Sequence, residues 1–299
     1  MEMLEGAIQT IISSGNYKLL RRLDVDNHPA LCTAAPTQPL KTGLSLDTET
    51  TGFSHGHDKI IELGMISFSF DPGTMRIHNI LDRFNGFEDP GVPLSQDVIN
   101  VTGINDAMLA GQRLDDDRVN SMLTTADIIF CHNAKFDRPF MEDRFPVCVQ
   151  KQWACTLSQI DWSGEYITSR TLEYLLFKLG GWFIDAHRAL NDAEGLLGLL
   201  LEDLPHAGTN VLRPLVEKAL SNDTLIHAVG SPFDKKDILK ERGYRWNDGS
   251  NGKPKSWWTE VEGDGTAELE WLAANIYPNG NISSVRTTPV DAYSRFSIR

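Results

Sequence analysis

Between residues 43 and 204 strand-like segments come first and helices follow, and this order constrains the fold more than any other feature of the chain. Strand patterns occupy 43–47, 59–70 and 75–87. The second alternates only weakly and is rich in Ile, Phe and Met, as a largely buried strand should be. Helical patterns follow at 113–124, 135–145, 171–179 and 189–204, interrupted by a short apolar strand at 127–131. Such an order predicts an α/β domain built on a mixed β-sheet flanked by helices. No internal repeat is visible.

The flanks read differently. Residues 3–23 look like a helical region broken at Gly15-Asn16, and 24–41 carry Pro29, Pro36 and Pro39 in linker-like company. Beyond the central segment, Ser231-Pro232 suggests a helix start with Ser as cap and Pro at the first position. Tyr244-Arg245-Trp246 and Ser256-Trp257-Trp258-Thr259 are short strand candidates, separated by the turn signals Asp248-Gly249 and Asn251-Gly252. A helix over 267–277, stopped by Pro278, completes a small α–β–β–α module. Three parts are therefore expected: 1–42, a helical segment and linker; 43–205, the principal domain; 206–299, a C-terminal α+β module.

No apolar run approaches the roughly 20 residues of a membrane span, and the start Met-Glu-Met-Leu-Glu lacks the positive opening of a secretory signal. Cys32, Cys131, Cys148 and Cys155 form no C-x-x-C pair, so neither a zinc knuckle nor a disulfide framework is expected. These features suggest a cytoplasmic protein without a membrane partner. The 299 residues carry a formal charge of −13, which on its face argues against a nucleic-acid partner. The charge is not spread evenly. Residues 43–204 hold 25 acids against 12 bases, whereas 1–42 and 205–299 each balance to zero. Carboxylates gathered inward in that central segment would form a cation site.

Their spacing supports one. In Asp47-Thr48-Glu49-Thr50-Thr51-Gly52-Phe53, residues i and i+2 of a strand project together, so Asp47 and Glu49 converge. Two converging carboxylates repel unless a cation lies between them, and Mg²⁺ or Mn²⁺ prefers such hard oxygen ligands. In His132-Asn133-Ala134-Lys135-Phe136-Asp137, Asp137 falls in the first turns of a helix leaving the sheet. In His187-Arg188-Ala189-Leu190-Asn191-Asp192, five helical steps separate the two side chains by about 140°, so they share no helix face. They converge only if Asp192 lies on the helix and His187 on the loop before it. Each cluster alone is equally a set of solvated or helix-capping acids.

Together, four acids and one histidine in this order resemble the three motifs of the DEDD superfamily, in its histidine-containing (DEDDh) branch. These are RNase H-like 3′–5′ exonucleases, a group that includes the proofreading epsilon subunit of bacterial replicases. The resemblance spans 43–204 and extends to Asp-Thr-Glu-Thr-Thr-Gly, Val-Thr-Gly-Ile at 101–104 and His-Asn-Ala-Lys-Phe-Asp. It implies two divalent metal ions, Mg²⁺ or Mn²⁺, held by Asp47, Glu49, Asp137 and Asp192, with Asp47 bridging both. Two ions about 4 Å apart activate a water and meet the leaving 3′-oxygen. His187 would take the water proton. The five residues are thus the expected catalytic set.

Family similarity also assigns substrate contacts. Glu49 and Thr50 would hold the terminal 3′-hydroxyl, Thr51 and Thr102 belong to the matching motif words, Phe53 would wedge against the last bases, and Asn133 would aid the phosphate. The expected activity is metal-dependent removal of nucleoside 5′-monophosphates from the 3′ end of DNA, single-stranded or frayed. An exoribonuclease or oligoribonuclease acting on RNA is the alternative, because the five residues do not distinguish sugars. A polymerase-associated proofreading or binding subunit is a third reading. The C-terminal module is a candidate for nucleic-acid binding. It carries seven bases against four acids in 231–258, with Trp246, Trp257 and Trp258 interleaved. Tryptophans forming the module's own core are the competing explanation.

Overall fold

The structure is a computed structural model, which describes residues 2–250 and 252–298. The chain separates into two compact units: residues 1–216 with 296–299, and residues 217–295.

The first unit begins with α1 (Glu2–Ser13) and the two-residue strand β1 (Arg21–Arg22). Then come β2 (Lys41–Thr50), β3 (Ile60–Asp71) and β4 (Arg76–Phe87), the short helices α2 (Gln96–Thr102) and α3 (Asp106–Leu109), and α4 (Asp116–Thr125). After them follow β5 (Ile128–Cys131), α5 (Ala134–Arg144), β6 (Gln152–Cys155), α6 (Thr156–Gln159), α7 (Leu172–Gly180), β7 (Trp182–Phe183) and α8 (Ala189–Leu201). The pair β8 (Asp203–Leu204) and β9 (Thr209–Asn210) leads to α9 (Leu212–Leu220), which runs past residue 216.

The central sheet has the order β4-β3-β2-β5-β6, with β4, β3 and β2 antiparallel and β5 and β6 parallel to β2. This is the RNase H-like mixed sheet. All twelve residues of β3 are buried, which explains why its apolar pattern alternates so weakly. One layer of core joins Leu44, Leu46, Leu63 and Met65 of the sheet to Val119, Leu123, Phe140 and Met141 of α4 and α5. On the sheet α8 packs against β2 and β3, and Ser45 donates its hydroxyl to the Ala193 carbonyl at 2.7 Å. Gly64 permits the close approach: a Cβ there would lie 2.2 Å from the Ala189 carbonyl carbon.

Several local expectations change. Residues 17–23 are not helical; Arg21–Arg22 pairs in parallel with Trp182–Phe183 instead. A two-residue strand whose partner lies 161 positions away leaves no periodic signal. The helix expected at 113–124 starts at Asp116, because the Asp115 side chain accepts the Arg118 amide as its cap. The last helix of the unit stops at Leu201, and 203–204 turn into strand.

The second unit contains β10 (Asp223–Val229), α10 (Lys236–Glu241), β11 (Arg245–Asn247), β12 (Ser256–Glu262), α11 (Thr266–Asn275) and β13 (Arg286–Val290). Its sheet, β11-β12-β10-β13, is antiparallel throughout. The expected α–β–β–α module is therefore enlarged by a strand at each end. Pro232, not Ser231, occupies the cap position, and the helix opens through a 3₁₀ turn at Phe233–Lys235. A separate core joins Ile226, Ala228, Leu239, Tyr244, Leu272 and Ile276.

Candidate active site

Strand pleat places Asp47 and Glu49 on one side of β2, and the first turn of α8 brings Asp192 to them. A carboxylate oxygen from each lies within 4.8 Å of the other two. One Asp192 oxygen accepts the Arg188 amide at 3.1 Å, so this acid also closes the N-terminus of its helix. Asp137, in the first turn of α5, is buried beside the trio. Thr48 fixes it, donating its hydroxyl at 2.8 Å and its amide at 3.2 Å to one Asp137 oxygen. Asp137 then acts on Asp47 as the strongest of its charged neighbours.

Burial first, and mutual repulsion second, keep protons on this cluster. Asp47 is pushed well above the ordinary carboxylate range, Glu49 to about 8, Asp137 to about 7 and Asp192 to about 6. Hard oxygen donors gathered at this density and short of positive charge fit a divalent cation.

A fifth acid escapes the sequence reading. Glu62 stands directly across from Glu49 in the β2–β3 register and its side chain is fully buried. It accepts the Arg188 guanidinium at 2.8 Å and the Ala189 amide at 3.2 Å. Glu62 lies inside an apolar run and its partner 126 residues further on, so no local spacing marks it. The pair fastens the start of α8, and with it the loop that presents His187. That histidine is exposed and holds a left-handed backbone, φ +64°. It sits off the helix, as the spacing requires.

The other expected contacts are distributed as follows. Phe53 is 91% exposed at the loop tip and meets Phe136 edge-on at 6.2 Å; Phe136 in turn contacts Phe140. Thr50 donates its hydroxyl to the Gly52 carbonyl, and Thr51 donates to Asp58, so both hydroxyls shape the loop. Thr102 is buried, its hydroxyl donating to the Val98 carbonyl and accepting the Ile104 amide at the end of α2. Asn133 is exposed, caps α5 without a side-chain hydrogen bond, and has φ +95°. The preceding His132 lies between Thr156 and the Arg170 carbonyl, 2.8 Å from each, and burial pulls it down to about 4.

Sheet order and carboxylate cluster together define an acidic, cation-binding centre on an RNase H-like scaffold. The chain belongs to the Exonuclease family, whose model matches residues 44–200. Among curated proteins it is similar to the PolC-type DNA polymerase III of Listeria monocytogenes, 32% identical over 158 residues, half of this chain and 10% of that protein. The Pediococcus pentosaceus polymerase of the same type is 38% identical over 107 residues, 34% of this chain and 7% of that protein. This chain thus covers about a tenth or less of either relative's length. Among solved structures, Exonuclease X in complex with 5′-overhanging duplex DNA aligns with 59% of this chain and 99% of its own, at 22% identity and TM-score 0.43. E. coli Exonuclease I in complex with a dA16 oligonucleotide aligns with 74% of this chain and 63% of its own, at 15% identity and TM-score 0.48.

Proposed function

We propose that the protein is a metal-dependent 3′–5′ exonuclease acting on single-stranded or frayed DNA. The convergence of Asp47, Glu49 and Asp192, with Asp137 held against them by Thr48, carries this reading. The work falls to the domain over 43–205, with 1–42 as an N-terminal helical segment and linker and 206–299 as an appended module whose compact unit is 217–295. Asp47, Glu49, Asp137 and Asp192 would hold two Mg²⁺ or Mn²⁺ ions. Bound there, the ions supply a water of lowered pKa and stabilise charge on the leaving 3′-oxygen.

The protein's own groups do the rest. His187 accepts the water proton on an imidazole nitrogen, and its exposed loop lets it approach only when substrate is seated. Glu49 and the Thr50 backbone receive the terminal 3′-hydroxyl, Asn133 assists the phosphate, and Thr51 and Thr102 hold the surrounding loops. Phe53, projecting from the loop beside Phe136, offers a stacking face for the last base, worth about 1–3 kcal/mol and tolerant of sequence.

Labelled single-stranded DNA, RNA and duplex, incubated with Mg²⁺, Mn²⁺ or EDTA, test the reading directly. Degradation from the 3′ end of DNA, abolished by EDTA, is expected. His187→Ala should fold normally and lose two to four orders of magnitude in rate, the usual worth of a general base, roughly 10²–10⁴-fold. Full activity in that variant removes His187 from the mechanism; preferential loss of RNA transfers the assignment to a ribonuclease.

A further inference from the structure

The second unit divides its tryptophans between two tasks. Trp257 belongs to the core, on the sheet face that carries Ile226 and Ala228. Trp246, its register partner on the edge strand β11, stays 50% exposed and leans on the Trp257 ring at 5.6 Å. The core does not require a ring in that position. Two cations flank the rings: Lys255 lies 6.0 Å from the centre of Trp246, and Arg245 lies 5.6 Å from that of Trp258. Both cations are exposed. Elsewhere in this unit Arg242 pairs with Glu268, Lys218 with Asp223, and Arg295 with both Asp223 and Glu260. Neither Arg245 nor Lys255 enters an ion pair among the described residues. Asp248, on the intervening turn, accepts the Ser250 amide and lies near enough to Lys255 to feel its charge without forming an ion pair.

We propose that the β11–β12 edge, through Trp246, Arg245 and Lys255, is a binding surface for single-stranded nucleic acid. A base stacks on the open face of Trp246, and Lys255 beside that ring meets a flanking phosphate. Arg245, beside Trp258 on the opposite face of the edge strand, meets another where the nucleic acid wraps the edge. Charge and ring chemistry select this occupant. A polyanion supplies the close ion pairs that neither Arg245 nor Lys255 makes among the described residues, and a base fits an indole that the core leaves in water. The assignment rests on the nuclease reading, since it supplies an acidic catalytic domain with a hold on its own substrate.

Binding of a fluorescein-labelled oligothymidylate to the full chain, in EDTA and across a salt series, isolates the surface from metal-dependent contacts. Trp246→Ala is expected to weaken binding about tenfold, the lower half of the range for one stacked base. Arg245→Ala and Lys255→Ala should each reduce the slope of log affinity against log salt by about 0.7, one phosphate contact apiece. Hydrolysis of thymidine 5′-p-nitrophenyl phosphate, which reaches only the catalytic cluster, should be unchanged in all three. Unaltered affinity and slope overturn the surface. So does displacement of the oligonucleotide by polyglutamate at equal charge concentration, which would reduce the site to unspecific electrostatics. If the wild type leaves the ester intact while these variants lose affinity, the surface stands and the nuclease reading falls.

Discussion

Arg188 does its work through its neighbours. Its guanidinium grips the fully buried Glu62 with both Nε and Nη2, while its amide donates to Asp192. Removing the fork would leave Glu62 buried beside Asp47 and Glu49 without its cation, adding repulsion where there is already too much. Arg188→Ala should therefore cost about 2–3 kcal/mol in chemical denaturation, near the top of the range for a hydrogen bond to a charged group. It should also lower kcat by at least tenfold with little change in KM, because the helix start carrying His187 and Asp192 loses its anchor. Arg188→Lys should recover little of either, since an ammonium cannot reproduce a two-nitrogen fork. A raised KM with intact kcat would move Arg188 from positioning into substrate binding. The convergence of Asp47, Glu49 and Asp192 was legible because each lies in a short run with its own spacing. Glu62 was not, because a single acid within Ile60-Ile61-Glu62-Leu63 is indistinguishable from a charge at a strand edge until the β2–β3 register is known.

At the scale of elements, the site depends on how closely α8 approaches the sheet. Gly64 faces Asp47 in the register, and the Ala189 carbonyl carbon occupies the space its side chain would need. Backbone cannot give way as a flexible side chain can, so Gly64→Ala must push α8 outward and carry Asp192 with it. A loss of about 1–3 kcal/mol, typical of overpacking, is expected in urea denaturation, together with a larger proportional loss of nuclease rate. Unchanged activity would show that the cluster tolerates a shifted helix. A second element-level device secures the β3–β4 turn. Buried Asp71 accepts the Thr37 amide and hydroxyl and the Gly73 amide at 2.7–2.8 Å, and these bonds hold its carboxyl well below the usual range. A depressed folded pKa contributes stability that is present above the unfolded value of about 3.9 and lost as pH falls through the folded one. Asp71→Asn should thus be less stable than the wild type at pH near 6, and the gap should close in strong acid. A gap that persists there would contradict the assignment. The longer helices α4, α5, α7 and α8 and the strands with dense apolar runs match expected segments, whereas the short helices α2 and α3, although capped by Ser95 and Asn105, and the edge strand β6 were not expected. Nor were strands β1, β10 and β13, since each is defined by partners far along the chain and β1 has only two residues to show.

For the molecule as a whole, the balance of −13 first suggested a chain that avoids polyanions. The structure relocates that statement. Four of the acids converge on one centre whose protons are retained by burial and crowding, and in the other unit Arg245 and Lys255 enter no ion pair among the described residues. A cation that binds the folded cluster, and not the unfolded chain, must stabilise the unit containing it by mass action. At a concentration one hundred times its dissociation constant the gain is about 2.7 kcal/mol. The unit over 217–295 has its own core, and no carboxylate cluster of the kind formed by Asp47, Glu49 and Asp192 is found in it among the described residues. Calorimetry of the full chain should accordingly resolve a transition that Mn²⁺ raises and EDTA restores, and another that neither moves. Asp47→Asn should abolish the metal-dependent shift while leaving the second transition in place. It should also raise the metal-free midpoint of the first, because an amide spares the fold the cost of keeping a buried, crowded carboxyl protonated. If Mn²⁺ shifts both transitions equally in the wild type and in Asp47→Asn, the stabilising cation binds outside the carboxylate cluster, and the centre described here is not its site.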